Sequence, residues 1–213
     1  MDKKRYVFDL DKTLLTYNPK YEREFFEKYF EEDTRVFLKH LPDWLDRYEN
    51  MVSTYDRETL AGYLSNCSGL VVTEELINEW IDVLANGTDT IESNAIEVLE
   101  ELKYQDKSLA LLTNWFRDTQ IPRLKRAGLY DYFDDIYTGE VFLKPHKEAY
   151  WGSIEFYHPK DCVFIGDHIM KDYIGPKSCG MDAILYDKKD EHHKTLCKVR
   201  DLSEIIEEDY YGE

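Results

Sequence analysis

Asp9 and Asp11 stand two positions apart where the uncharged run Tyr6-Val7-Phe8 ends, and Thr13 follows them. On an extended backbone such residues point to the same side, and a rise of about 3.3 Å per residue puts their Cα atoms about 6.6–7 Å apart. Two carboxylates at that span can touch one metal ion, or one can attack while the other handles a proton. Thr113-Asn114 closes a second apolar run, and a hydroxyl and a main-chain N–H at a strand end can bind a phosphate oxygen. Lys144, just before Pro145, carries a charge that can neutralise a transferring phosphoryl group and hold a nucleophile. Gly166-Asp167 ends a further apolar run, with Asp172 five residues on. Hard carboxylate oxygens at adjacent strand ends suit Mg2+, which takes few carboxylates and fills its shell with waters and phosphate oxygens. In that reading Asp167 is a direct ligand, and Asp172 supports the lysine or the metal-bound waters from behind.

Taken singly, these residues have plainer uses. Asp-x-Asp-x-Thr forms surface turns, a Thr caps a helix, most lysines lie on the surface, and an acid like Asp172 suits a helix N-terminus. Their weight comes from the elements that carry them. Apolar runs of strand length at residues 6–8, 108–113, 136–138, 162–166 and 183–186 alternate with helical patterns at 95–104, 121–127, 147–157 and 174–178. Such alternation predicts an α/β fold with a doubly wound parallel sheet, whose functional groups collect at the carboxyl ends of the strands. Residues 15–89 read as all-helical. Asn18-Pro19 starts one helix, aromatic residues recur at helical spacing from Tyr21 to Phe30, Thr73 caps another helix, and Asn86-Gly87 ends it. That is far longer than an ordinary crossover between parallel strands. The expected organisation is a catalytic core of residues 1–14 and 90–213, a helical cap of 15–89, a last strand at 183–186, and a solvated acidic tail from Glu204.

The chain of 213 residues, 43% hydrophobic and 15% aromatic, is large enough for one substantial core plus a small insertion. A net charge of −17 argues against nucleic acid as a partner, since phosphate backbones need clustered Lys and Arg. It also means that any phosphate site needs local positive charge from a lysine or a metal. The cysteines at 67, 162, 179 and 197 form no Cys-x-x-Cys pair, so zinc and thioredoxin-type sites fail on spacing and reduced thiols are expected. With no apolar run long enough for a signal peptide or a membrane span, the expectation is a cytoplasmic protein without membrane association, a monomer or homodimer.

The four motifs together resemble those of the haloacid dehalogenase-like hydrolase superfamily: Asp9-x-Asp11-x-Thr13 after an apolar strand, Thr113 at the next strand end, Lys144-Pro145 after Thr138-Gly139-Glu140, and Gly166-Asp167 with Asp172. The resemblance covers residues 1–14 and about 90–186 and fits the members with a small helical cap between the first and second motifs. It implies a phosphatase with Asp9 as the nucleophile, forming an aspartyl-phosphate. Asp11 would be the general acid and then the base. Mg2+ would sit on Asp9, the main-chain carbonyl of Asp11 and Asp167, with Thr113, Asn114 and Lys144 on the phosphoryl oxygens. Lys12 departs from the pattern, which commonly has Gly there.

Rival readings share some of these parts. A haloalkanoate dehalogenase of the same superfamily lacks the second Asp as an acid. A phosphomutase keeps all four motifs. A P-type ATPase register would make Asp11 the nucleophile but needs a Thr at position 15, where this chain has Leu15. A receiver domain places its acidic pair and phospho-acceptor on different strands. A non-catalytic phosphate-ligand binder would be expected to lose a motif residue. The substrate is expected to be a small phosphorylated metabolite. Tyr17, Tyr21, Arg23, His40, Arg47 and Arg57 of the cap, and Trp115, Phe116 and Arg117 after the second motif, are candidates for reading its leaving group.

Overall fold

The uncharged runs sort their side chains by parity. Tyr6 and Phe8, Leu109 and Leu111, and Val163 and Ile165 enter one buried cluster, while Val7, Ala110, Leu112 and Phe164 enter another. This is what a sheet buried on both faces requires of strands that alternate sides. In the computed structural model, which describes residues 3–192 and 194–206, these runs are β1 (Arg5–Phe8), β4 (Ser108–Leu112), β5 (Asp135–Tyr137), β6 (Cys162–Gly166) and β7 (Asp182–Tyr186). A further strand, β8 (Lys198–Val199), extends the sheet beyond the expected last strand. The order is β5-β4-β1-β6-β7-β8, and every neighbouring pair is parallel. The fold is α/β with a doubly wound parallel sheet, as the alternation predicts.

On one face, α5 (Ala95–Tyr104) and α6 (Arg117–Arg126) supply Val98, Leu99 and Leu124 to the core; on the other, α7 (Lys147–Ile154) supplies Ala149, Tyr150 and Ile154. α6 begins a turn earlier than the expected 121–127. The chain after β6 makes a π-helical turn, Ile169–Ile174, before the short α8 (Gly175–Ser178). The first residues of the acidic tail are not solvated as expected. Asp201 and Glu204 form a capping box on a 3-10 turn, Leu202–Ile205, whose Leu202 and Ile205 are buried in the core; residues 207–213 of that tail lie outside the described residues.

Residues 15–89 are not wholly helical. β2 (Leu15–Tyr17) pairs antiparallel with β3 (Asp89–Ile91), so the chain leaves and re-enters the sheet domain through a two-stranded ribbon. Three-residue strands carry too little periodicity to stand out in a sequence. Between them lie α1 (Pro19–Phe30), α2 (Thr34–Met51), α3 (Arg57–Ser68) and α4 (Glu74–Asn86). The starts of three are capped by side chains: Asn18 on Lys20 N, Asp56 on Thr59 N and Thr73 on Leu76 N. Their apolar faces close on Phe26, Phe37, Leu64, Ile77 and Trp80, and that cluster also takes in Phe116 and Leu143 from the sheet side.

Leu111 is fully buried at the centre of the sheet. Leu111→Ala is expected to cost about 2–5 kcal/mol by leaving a cavity there, read as a lower denaturant midpoint.

Candidate active site

Four strand ends and loops converge at the carboxyl edge of the sheet. Asp9 follows β1, Thr113 follows β4, Lys144 lies in the loop after β5, and Asp167 follows β6. β1 lies between β4 and β6, so its end is flanked by both neighbours. Lys144 Nζ donates to Asp9 Oδ1 and to Asp172 Oδ1, each at 2.7 Å, and is only 2% exposed. The Phe164 ring lies under the ammonium, 5.2 Å away. Three further details fix this arrangement. Asn114 Nδ2 donates to Lys144 O while Lys144 N donates to Asn114 Oδ1, both at 3.0 Å, so the amide pins the lysine's backbone. Residue 166 must be Gly, because a Cβ there would lie 2.5 Å from the Asp172 side chain. Asp172 Oδ2 accepts from His168 N at 2.9 Å.

Oxygens of Asp9, Asp167 and Asp172 lie within 4.8 Å of one another. Burial pushes the Asp9 carboxyl up to about 8 despite Lys144, and pushes Asp167 up to about 6, with Asp172's charge adding. Burial by itself disfavours the Lys144 ammonium, but Asp172 and Asp9 hold it protonated far above the ordinary lysine range. Three carboxylates thus share one ammonium. A divalent cation would offset that excess of negative charge, and an all-oxygen donor set is what Mg2+ takes. The residues present therefore fit that ion.

Asp172, expected behind the metal, is both partner to Lys144 and a member of this carboxylate cluster. The Asp11 carboxylate lies outside it. Asp11 Oδ1 accepts from Arg123 Nη2 at 2.7 Å and Oδ2 from Gln120 Nε2 at 2.8 Å. Gln120 Nε2 also donates to Thr113 Oγ1 at 2.9 Å. The side chain of Asn114 is engaged by Lys144, which is compatible with the expected contact of a main-chain N–H to a phosphoryl oxygen. Lys12 sits at φ 64, a left-handed conformation that explains why Gly is the commoner residue in this turn. Its charge faces the cavity and opposes the rise in Asp167.

The cavity above these groups holds about 340 Å3. Of the candidate readers of a leaving group, Tyr17 and Trp115 line it. His40 stacks on Trp44 outside, Arg57 bridges Asp118 and Glu140, and Phe116 is buried in the core. Tyr21 bonds Thr88, Arg23 and Arg47 are exposed, and Arg117 offers its main chain to Glu140. Sequence reasoning missed Glu22, Asp46, Glu49, Gln120, Arg123 and Lys171. Gln120 and Arg123 are spaced i, i+3 on a helix, the only signal that would have paired them.

A family model for haloacid dehalogenase-like hydrolases matches residues 3–180, and the chain belongs to that family. Ribulose-1,5-bisphosphate 5-phosphatase of Halopiger xanaduensis is 32% identical over 110 residues, which are 48% of this chain and 44% of that protein. The chain spans about half the length of the curated relatives it matches. Among solved structures, the putative HAD-hydrolase YfnB of Bacillus subtilis, bound to magnesium, has a TM-score of 0.78 at 22% identity, covering 96% of this chain and 97% of that one. L-2-haloacid dehalogenase of Xanthobacter autotrophicus has a TM-score of 0.72 at 19% identity, covering 95% and 96%. Both likenesses are likenesses of fold.

Because Asp9 rises from an ordinary 3.8 to about 8 on folding, the folded chain binds more protons than the unfolded one in that window. Its contribution to stability therefore falls as pH rises from about 4 to about 8. With divalent metal chelated, Asp9→Asn should gain Tm relative to wild type across that range and level off above it. A Tm difference independent of pH would remove the assigned shift.

Proposed function

We propose that this haloacid dehalogenase-like hydrolase is a Mg2+-dependent phosphatase of small phosphomonoesters, working through an aspartyl-phosphate on Asp9, with residues 15–89 as a cap over a core of 1–14 and 90–213. The observation that carries the reading is the buried Asp9–Lys144–Asp172 set beside Asp167, with Asp11 on the wall of the same cavity.

A carboxylate oxygen of Asp9 attacks phosphorus, and the bond from phosphorus to the ester oxygen breaks. Asp11 gives its proton to that oxygen, so the alcohol leaves neutral. Asp11, now a carboxylate, takes a proton from a water whose oxygen attacks the phosphoryl group. The Asp9–phosphorus bond then breaks, releasing inorganic phosphate and restoring Asp9 as carboxylate and Asp11 as acid. Lys144 orients Asp9, and Thr113 with the main chain of Asn114 faces the phosphoryl oxygens. Mg2+, held by Asp9, Asp167 and the main-chain carbonyl of Asp11 with Asp172 beside them, would supply charge neutralisation for those oxygens. The second Asp sets this reading apart from a haloalkanoate dehalogenase, which has no alkoxide to protonate.

The leaving-group end of the cavity supports an uncharged, hydroxylated alcohol. Leu38, Leu41 and Trp115 make one wall. Tyr17 Oη donates to Glu22 at 3.5 Å, Glu22 forms no ion pair among the described residues, and burial pushes its carboxyl up to about 7. Of the cations on the cavity, Lys171 is engaged by Asp46 and Glu49 and Arg123 by Asp11 and Asp89, and Lys12 acts on Asp167. A second phosphate or a carboxylate on the leaving group would meet Glu22 without a countercharge.

Phosphate release from p-nitrophenyl phosphate is expected to require Mg2+ and to vanish in Asp9→Asn; equal rates for the two proteins would refute Asp9 as nucleophile. Free phosphate from a sugar monophosphate, rather than an isomerised ester, separates the hydrolase from a mutase. In a panel of esters, sugar and polyol monophosphates should outrun bisphosphates. Glu22→Gln should raise kcat/KM for bisphosphates about five- to tenfold, the effect of roughly 1 kcal/mol, and leave polyol esters within about twofold.

A further inference from the structure

Asp11 lies beyond the end of β1 in a turn that does not itself fix its side chain, and that side chain is 33% exposed. An acid that must meet a leaving oxygen cannot be left as a solvated rotor, since misplacement by about 1 Å costs rate heavily. In this chain its two oxygens are taken one each by two residues of a single helix. Gln120 is fully buried and Arg123 is 3% exposed. Gln120 Nε2 reaches Asp11 Oδ2 at 2.8 Å, and Arg123 Nη2 reaches Asp11 Oδ1 at 2.7 Å. Arg123 Nη1 donates to Gln120 Oε1 at 2.7 Å, so the two donors hold each other. The guanidinium is braced from the other side by Asp89, which accepts from its Nη2 at 2.7 Å and its Nε at 3.0 Å. Asp89 opens β3, the strand by which the helical insertion returns to the sheet. Taking a guanidinium and an amide out of water costs free energy that this bonding must offset, and tying β3 to α6 alone does not call for the contact to Asp11.

We infer that Arg123 and Gln120 are positioning residues for Asp11, fixing both carboxyl oxygens on the cavity wall so that the carboxyl meets the leaving oxygen, with Asp89 holding Arg123 in place. The inference rests on the phosphatase reading above. Neither residue touches the transferring phosphoryl group; Arg123 acts through Asp11, and Gln120 acts through Asp11 while also donating to Thr113 Oγ1 at 2.9 Å and to Asn114 O at 3.0 Å, contacts whose loss weighs on both kinds of ester alike.

The consequence depends on the leaving group. The alkoxide of an alkyl ester needs a proton as it departs, whereas p-nitrophenolate departs without one. kcat/KM covers only the steps up to that departure, so it isolates the acid role from the later work of Asp11 as base.

The experiment compares kcat/KM for β-glycerophosphate and p-nitrophenyl phosphate in wild type, Arg123→Met and Gln120→Leu, each also placed in the Asp11→Asn background. Arg123→Met should lose about 10- to 100-fold on β-glycerophosphate, within the reach of general acid catalysis, and threefold or less on p-nitrophenyl phosphate; Gln120→Leu, which also frees Thr113, should lose at least about tenfold more on the first ester than on the second. In the Asp11→Asn background that difference between the esters should change by less than about threefold for either variant, because there is no acid left to position. An equal loss on both esters, no loss on either, or the full difference between the esters without the acid would overturn the inference. Gln120→Leu decides the matter by the difference between the two esters if Arg123→Met fails to fold, because the side-chain hydrogen bonds of Gln120 among the described residues go to Asp11, Thr113, Asn114 and Arg123 and not to Asp89. Failure of wild type to hydrolyse either ester would refute the phosphatase reading itself, before any variant is compared.

Discussion

One buried lysine shared by two buried aspartates is the constraint on which the rest of the molecule depends. Moving ions out of water costs several kcal/mol each after relaxation, and their attraction offsets this only when the geometry is good and the remaining lone pairs and protons are satisfied. The fold meets those terms point by point. Lys144 reaches Asp9 and Asp172 at 2.7 Å, its backbone is clasped by Asn114, and the second oxygen of Asp172 is taken by His168 N. Thr13 Oγ1 lies 3.3 Å from Asp9 Oδ2. A parallel sheet makes this possible because all its strands end on one edge, so loops far apart in sequence can meet there.

The same set remains short of positive charge. Asp9 and Asp167 are both pushed above the ordinary carboxylate range, chiefly by burial. A cluster with that imbalance of charge fits a cation better than it fits lying bare. The negative charge of the whole chain makes this local arrangement more necessary, since nothing at long range draws an anion in.

The helical insertion meets the sheet through contacts of two kinds. Apolar packing joins Phe116 and Leu143 to the insertion's core, and Gly139 accepts from Tyr55 N at 2.7 Å and donates to Trp115 O at 2.9 Å, where the absence of a side chain lets three segments approach. Ion pairs span the gap elsewhere: Lys171 with Asp46 and Glu49, and Arg57 with Asp118 and Glu140. More exposed pairs such as Arg57–Asp118 contribute little free energy each. The cavity thus has a floor of fixed, buried chemistry and walls shared between two bodies of side chains.

The four motif strands, their parallel sense and the meeting of Asp9, Lys144 and Asp167 at one edge were legible in the sequence, because short apolar runs ending in charged residues follow directly from burial and strand period. What it could not carry was any relation depending on two segments brought together only by folding. The ribbon of β2 and β3 is too short to show a period, and β8 is a strand only because β7 offers it an edge. Nothing in the order of residues pairs the Asn114 side chain with Lys144, thirty positions on, yet folding brings the two together. Gln120 and Arg123 sit in an ordinary-looking helix, and only the packing of α6 against the turn after β1 turns them toward Asp11. Local chemistry is written in the order of residues; the partner each polar group meets is decided by the tertiary structure, because a buried polar group must bond to whatever the fold places within reach.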